Sequence, residues 1–323
     1  MNPLISKDKI SRKGNGLQRP ECVLATRSGN IYTADWQGGV AQISHSGEAY
    51  LWHGDKIAGT TPRPNGIALC ADGSFIFAEL GETNGGVYRL DRSGQITALL
   101  DTIDGVPLPP CNFLLLEKSG RIWLSVSTRQ IPRASAYSGA ISDGFIIVID
   151  GHGAKIAADG LGYTNEMQIS PDGNWLYVNE TFSRRLSRFR LGSDGLLAKR
   201  ETVAIFGSGV FPDGVCFDSE GAIWITSIVS NRIIRVLPSG EQQPIIEDAD
   251  EEHINWVEAA FESNSMSRQH LDKSAGQLLK NISSVAFGGK DLKTVYVGCL
   301  LDDCVYTFRS PVAGLAPVHW EYG

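Results

Sequence analysis

Hydrophobic and polar positions recur along this chain in one pattern: a polar residue, a short apolar run, a turn carrying glycine, and a second apolar run. Glu21 precedes VLA, and Gly29 follows eight residues later, before IYTA. The same offset of eight separates Asn65 from Gly73, Asn112 from Gly120, Asn165 from Gly173 and Asp213 from Gly221. A weaker sixth copy opens at Ser283, with Asp291 at the glycine position. Successive starts lie 44, 47, 53, 48 and 70 residues apart. Glycine at one fixed offset predicts a tight turn between two antiparallel strands. Two more strand-like runs usually follow, such as VAQIS and EAYLW, GVYRL and ITALL, or LSRFRL and RETVAIF. Four strands every 45 to 50 residues or so is the period of a propeller blade. Six copies predict an all-β chain, a six-bladed β-propeller over residues 1–323 with an N-terminal segment at 1–18. A pair of stacked sandwiches explains neither the offset nor the count.

The fifth interval is the long one. Residues 248–280 carry HINWVEAAFE, in which Ile254, Val257 and Phe261 fall three and four apart, a helical stripe. A short helical insertion is therefore expected between blades five and six, either as a lid or as decoration of the rim. His253 and His270 lie in it and are expected at the surface.

In a propeller the first strand of each blade lines the central channel, so the aligned residues Glu21, Asn65, Asn112, Asn165, Asp213 and Ser283 should face one end of it. All six offer oxygen, none offers sulfur or imidazole, and two are carboxylates. Such a set suits a hard divalent cation such as Ca²⁺, Mg²⁺ or Mn²⁺, and Zn²⁺ also occupies oxygen sites. Turn formation alone would explain one such residue but not the shared register of Glu21, Asn112, Asn165 and Asp213. Asn65 and Ser283 are read either as a supporting layer or as substrate contacts. The loops after each second strand return to the same mouth and offer Trp36, Arg129, Tyr137 and Glu180 as candidate walls.

Composition narrows the partners. Glycine, at 36 of 323 residues, is about 11% against ~7% usually, as a turn-rich chain requires. A net charge of −7 without a basic cluster argues against nucleic acid or an anionic membrane, and no apolar run is long enough to span a bilayer. MNPLISKDKISRKGNGLQ lacks the apolar core of a secretory signal. The six cysteines are dispersed in apolar runs without a CxxC pair, which suits reduced thiols in a cytoplasmic protein. A small-molecule substrate is the expected partner, and homo-oligomerisation is left open. The chain has no GxSxG elbow, no GxGxxG or P-loop motif and no HExxH.

PEC-VLA around Glu21, GYTNEMQISPDGNWLYVNET around Asn165 and FPDGVCFDSEGAIWITS around Asp213 resemble the gluconolactonase and regucalcin (SMP-30) family of six-bladed propellers over about residues 18 to 310. The resemblance implies one divalent cation, Ca²⁺ foremost, held by Glu21, Asn165 and Asp213. Asn112 is implied as a substrate contact, or as a ligand in related phosphotriesterase propellers. The implied activity is metal-dependent lactone hydrolysis; for that reaction the ring residues themselves are read with Asp213 as general base and Asn112, Asn65 and Arg129 orienting the substrate. Sugar lactonases of this kind resemble R-x-N-D around the third-blade asparagine, whereas this chain has Pro110-Cys111-Asn112-Phe113; Cys22-Val23 also replaces a usual Gly-Pro. Sugar specificity is therefore not implied. Phosphotriester or ester hydrolysis, strictosidine-synthase-like condensation and a non-catalytic sensor or scaffold remain as alternatives.

Overall fold

The computed structural model describes residues 3–192 and 194–322. Six four-stranded antiparallel sheets form the blades of a propeller. Blade one comprises Val23–Ala25, Ile31–Asp35, Gly39–Ile43 and Ala49–His53, and the next four repeat this innermost-to-outermost order. Burial follows the radius. Second strands such as Ile31–Asp35, Ile122–Val126 and Ile223–Val229 are buried at every residue, because each is pressed between two neighbouring blades. Fourth strands such as Ala49–His53 and Ile96–Leu100 are half-buried or exposed throughout. Six apolar clusters fill the six gaps between blades, so the core is a ring of equivalent interfaces rather than one centre.

The repeated turn is as the spacing predicts. Gly29, Gly73, Gly120, Gly173 and Gly221 all have positive φ, from 72° to 91°, and each donates its N–H to the carbonyl three residues earlier. A side chain there would be strained in the left-handed region. In blade six, Asp291 stands at the glycine position, and the left-handed residues shift to Gly289 and Leu292.

The N-terminal segment closes the ring: Ser11–Lys13 pairs antiparallel with Val305–Arg309 as the outermost strand of blade six. Arg12 secures the join, with Nη2 2.5 Å from Asp302 and 2.9 Å from Asp303 and Nε 3.0 Å from the Cys304 sulfur. The C-terminal segment instead crosses the end of the channel remote from the proposed mouth. Ser219 N donates to Ala313 O at 2.8 Å and Arg27 N to Trp320 O at 2.9 Å, and Leu315 to His319 line the channel floor. All six cysteines are free thiols. No helix among the described residues is long and apolar enough to cross a membrane.

The insertion holds helix α1 (Glu251–Glu262) and the short helix α2 (Arg268–Leu271). Asp250 caps α1, accepting from His253 N at 2.8 Å. The predicted stripe packs inward, with Val257 fully buried and Phe261 against Phe182 and Phe211. His253 and His270 depart from expectation. Both are buried, because they pack around Trp256, with ring centroids 5.6 and 4.2 Å away, and His270 also completes the cap of α2.

Removing the residues up to Lys13 should expose the edge of Val305–Arg309. A lower thermal midpoint is expected, with concentration-dependent association in light scattering. An unchanged midpoint would show that the join adds nothing to stability.

Candidate functional site

Five of the six aligned residues sit at an irregularity in strand pairing. The register shifts between Pro64 and Ile67, Cys111 and Phe113, Thr164 and Met167, Pro212 and Val215, and Ile282 and Val285. A bulge bends the strand and re-aims its side chains, so the repeat places one polar residue per blade at the same height. The blades approach so closely here that a Cβ on Gly66 would lie 2.6 Å from Phe113 Cα. That explains glycine after Asn65.

The ring residues are all buried, and hydrogen bonds join them across blades. Asn65 Nδ2 donates to Glu21 Oε1 (3.0 Å) and Asn112 Oδ1 (2.8 Å), and Asn112 Nδ2 donates to Asn165 Oδ1 (2.8 Å). Asn165 Nδ2 donates to Thr181 Oγ1 (3.0 Å), which donates to Pro212 O (2.8 Å). Asn179 Nδ2 holds the carbonyls of Asp213 and Gly214, each at 3.0 Å. Ser283 Oγ donates to Glu21 O at 2.9 Å, which makes Ser283 a support for the ring rather than a donor to its centre.

Charge is concentrated in the middle of this ring. Burial, and then the nearby carboxylate of Glu21, push the Asp213 pKa well above the usual range, against the opposing charges of Arg19 and Arg133 and hydrogen bonding from Asn165. Arg19 Nε contacts Glu21 Oε2 at 2.8 Å and its guanidinium lies over Trp36 at 4.4 Å. Glu166, next to Asn165, faces the channel. Burial and the Asp213 charge raise its pKa strongly, while Val215 N donates to its Oε2 at 3.1 Å. Beyond it lies an apolar cavity of about 490 Å³, walled by Phe113, Met167, Val215 and Val285.

The wall candidates divide. Trp36 stands at the mouth between Arg19 and Arg63, the latter 5.5 Å from its ring. Tyr137 is buried in an aromatic group with Tyr163 and Phe182. Glu180 is not a wall: it is fully buried, binding Arg185 at 2.8 Å, Arg200, Ser187 Oγ at 2.5 Å and Gly162 N at 2.7 Å. Arg129 is not brought to the ring. It forms a two-pronged pair with Asp159 at 2.8 Å and lies over Phe145 at 4.2 Å. Arg133, four residues later in the same loop, is the one whose charge reaches Asp213. Sequence reasoning passed over Arg133, Arg19 and Glu166. Adjacency to ring residues was an available signal for the last two, and none distinguished Arg133 from Arg129.

The sequence model of the SMP-30/gluconolactonase/LRE-like region matches residues 54–254. This chain belongs to that family. It is 27% identical over 267 residues, 77% of its length and 78% of the relative's, to a 6-deoxy-6-sulfogluconolactonase of Pseudomonas putida. A strictosidine synthase-like protein of Arabidopsis thaliana is 25% identical over 219 residues, and there the chain spans 57% of the relative's length. Among solved structures, a calcium-binding regucalcin of Agrobacterium tumefaciens superposes with a TM-score of 0.65 at 16% identity, over 94% of this chain and 95% of that one. That likeness is one of fold.

Against this family background the Pro110-Cys111-Asn112-Phe113 segment takes on a different meaning. Phe113 lines the channel cavity below the ring, with its N–H 3.1 Å from Ser125 Oγ. The aromatic therefore faces the channel cavity rather than the mouth.

Glu180 yields a test independent of activity. Burial alone would raise its pKa, but hydrogen bonds from Arg185, Ser187 and Gly162 N and the charge of Arg200 together hold it below the ordinary value. Its stabilising contribution is therefore complete at neutral pH and is lost as pH falls below about 4.5 towards that depressed pKa. Glu180→Gln should cost about 3–5 kcal/mol at pH 7, read by urea unfolding. The deficit should shrink on acidification, and a deficit that is flat in pH would contradict the ionised assignment.

Proposed function

We propose that this protein is a divalent-cation-dependent hydrolase that opens lactone rings. The observation that carries the reading is the convergence of Glu21, Asn165 and Asp213, one from each of three blades, at the buried centre of the ring. The donor set fits a hard cation on its own chemistry. It is all oxygen, and it brings two buried carboxylates into each other's field. Beside it lies a buried amide oxygen, Asn65 Oδ1, that lacks a hydrogen-bond partner. Charges withdrawn from water in this way need compensation, and Arg19 supplies one positive charge beside Glu21. Glu21, Asn165 and Asp213 would hold the cation, with Asn112 alongside. When bound, it supplies Lewis acidity to an ester carbonyl and to a water molecule. Membership of the lactonase-like family and the sulfogluconolactonase relative support the choice of reaction.

Asp213 accepts a proton from the attacking water as that water's oxygen bonds to the lactone carbonyl carbon. The ring C–O bond then breaks, and the proton passes from Asp213 to the departing alkoxide oxygen, giving a hydroxy acid. The Asn112 amide, fixed between Asn65 and Asn165, orients the substrate oxygens. The aromatic layer of Tyr137, Tyr163, Phe182 and Phe211, with α1 packed on it, excludes water from that side of the mouth and makes the insertion a cover rather than an appendage.

Turnover of a lactone panel, followed by acid release, should fall on chelation and return with added divalent cation. Glu21→Gln should weaken cation binding in calorimetry by tenfold or more. Asp213→Asn should lower kcat by about 10²–10⁴. Retention of full turnover by Asp213→Asn would remove the general base, and chelator-insensitive turnover would remove the cation.

A further inference from the structure

Arginines at the mouth are paired almost without exception. Arg19 holds Glu21 at 2.8 Å, Arg63 Glu82 at 3.1 Å, Arg129 Asp159 at 2.8 Å and Arg184 Glu258 at 2.7 Å. Arg133 differs. Among the described residues no carboxylate lies within ion-pairing distance of it. Its Nη2 donates to a neutral hydroxyl, Ser127 Oγ at 3.0 Å, and its guanidinium lies 5.4 Å from the Tyr163 ring centroid. Its Nε is buried without an acceptor. A half-buried guanidinium that meets a hydroxyl and a ring face, but no counter-ion, is incompletely compensated. Its position is not remote: the Tyr163 ring that it faces lies two residues before Asn165, and Ser127, to which it donates, directly follows the strand Ile122–Val126 that pairs with the strand of Asn112.

We infer that Arg133 reads an anionic substituent on the substrate, a carboxylate or sulfonate carried at a distance from the reacting carbonyl. This rests on the lactonase reading for the identity of the reacting group. Under that reading, a divalent cation cancels the two ring carboxylates, and Arg133 differs from Arg19 in holding no carboxylate of its own beside the site. The planar guanidinium suits an anion with two or more oxygens. Ser127 and Tyr163 fix the guanidinium, so little side-chain entropy is lost when the anion arrives. Arg133 is thus a specificity residue, contacting a part of the substrate that does not react. The loop from 127 to 144 that carries it belongs to blade three, beside Asn112, so one substrate can span both.

The test uses the full chain with its cation and two kinds of readout. Calorimetry compares glucose with glucuronate and with 6-deoxy-6-sulfoglucose, none of which is a lactone. The wild type should bind one or both anionic sugars about 10- to 100-fold more tightly than glucose, and the stronger of the two identifies the preferred anion. Arg133→Gln should abolish the preference, and Arg133→Lys should restore part of it. Thermal midpoints check that both variants fold. In turnover, Arg133→Gln should raise KM for 6-deoxy-6-sulfogluconolactone more than for gluconolactone, so that the ratio of the two kcat/KM values falls about tenfold or more. A wild type without preference, a preference that survives in Arg133→Gln, or equal losses on both lactones would overturn the inference. If neither lactone is hydrolysed but the Arg133-dependent preference is present, the lactonase reading fails and the anion site stands.

Discussion

Two carboxylates, Glu21 and Asp213, are buried within each other's field at the axis of the molecule, and much of the surrounding architecture serves to hold them there. Left to themselves they would separate or take up protons, since like charges in a poorly solvated site are costly. The chain prevents separation through backbone rather than side-chain length. Asp213 rides on a bulge whose carbonyls are held by Asn179 and Thr181 from blade four. Glu21 is held through its own carbonyl by Ser283 of blade six and through its carboxylate by Asn65 of blade two. Each acid is thus positioned by its neighbours on the ring, and the site exists only when the ring is closed.

That dependence ties the chemistry to the distant seam. Ser11–Lys13 completes blade six at the rim, while Ser283 and Ser284 of the same blade touch blade one at the axis. Ser284 Oγ accepts from Val23 N at 3.1 Å, and Ser283 Oγ donates to Glu21 O. The seam and the hydrogen bond to Glu21 thus belong to one four-stranded sheet. The C-terminal segment crosses the channel beneath the ring, where Leu315 to His319 line the apolar cavity. Both termini therefore serve the site without contributing a ligand to it.

The sequence revealed those parts of the molecule that the repeat imposes. A fixed offset between a polar residue and a left-handed glycine is a local backbone requirement, so it survives in the residues themselves, and counting back eight positions found the five principal ring members. The insertion's stripe was legible for a similar reason, since a 3.6-residue period needs no tertiary knowledge. Side chains arriving from loops were not legible. Arg129 and Arg133 are chemically identical and four residues apart, and the choice between them is made by Asp159, thirty positions beyond Arg129 and on another strand. Glu180 resembled a wall because it ends a strand at the mouth, yet two arginines from later strands of blade four turn it inward. His253 and His270 looked like surface residues because nothing local announces that Trp256 will draw them in.

The mouth itself is lopsided, and the asymmetry has a consequence for access. The aromatic and aliphatic layer under α1 gathers Tyr137, Phe182, Phe211, Ile228 and Leu300 from the loops and strand ends of blades three to six. Blades one and two contribute nothing to that layer. Their sector presents Trp36 with Arg19 and Arg63 against it, beside an open cavity of about 470 Å³ between Leu17–Arg19 and the 300–303 loop. A molecule entering there meets Arg19, Arg63 and Trp36 before the ring. Approach through the opposite sector would require separating packed aromatic rings from α1 and breaking the Arg184–Glu258 pair that ties the helix to blade four. The cheaper path to the ring is the polar one, past Trp36 and its two arginines.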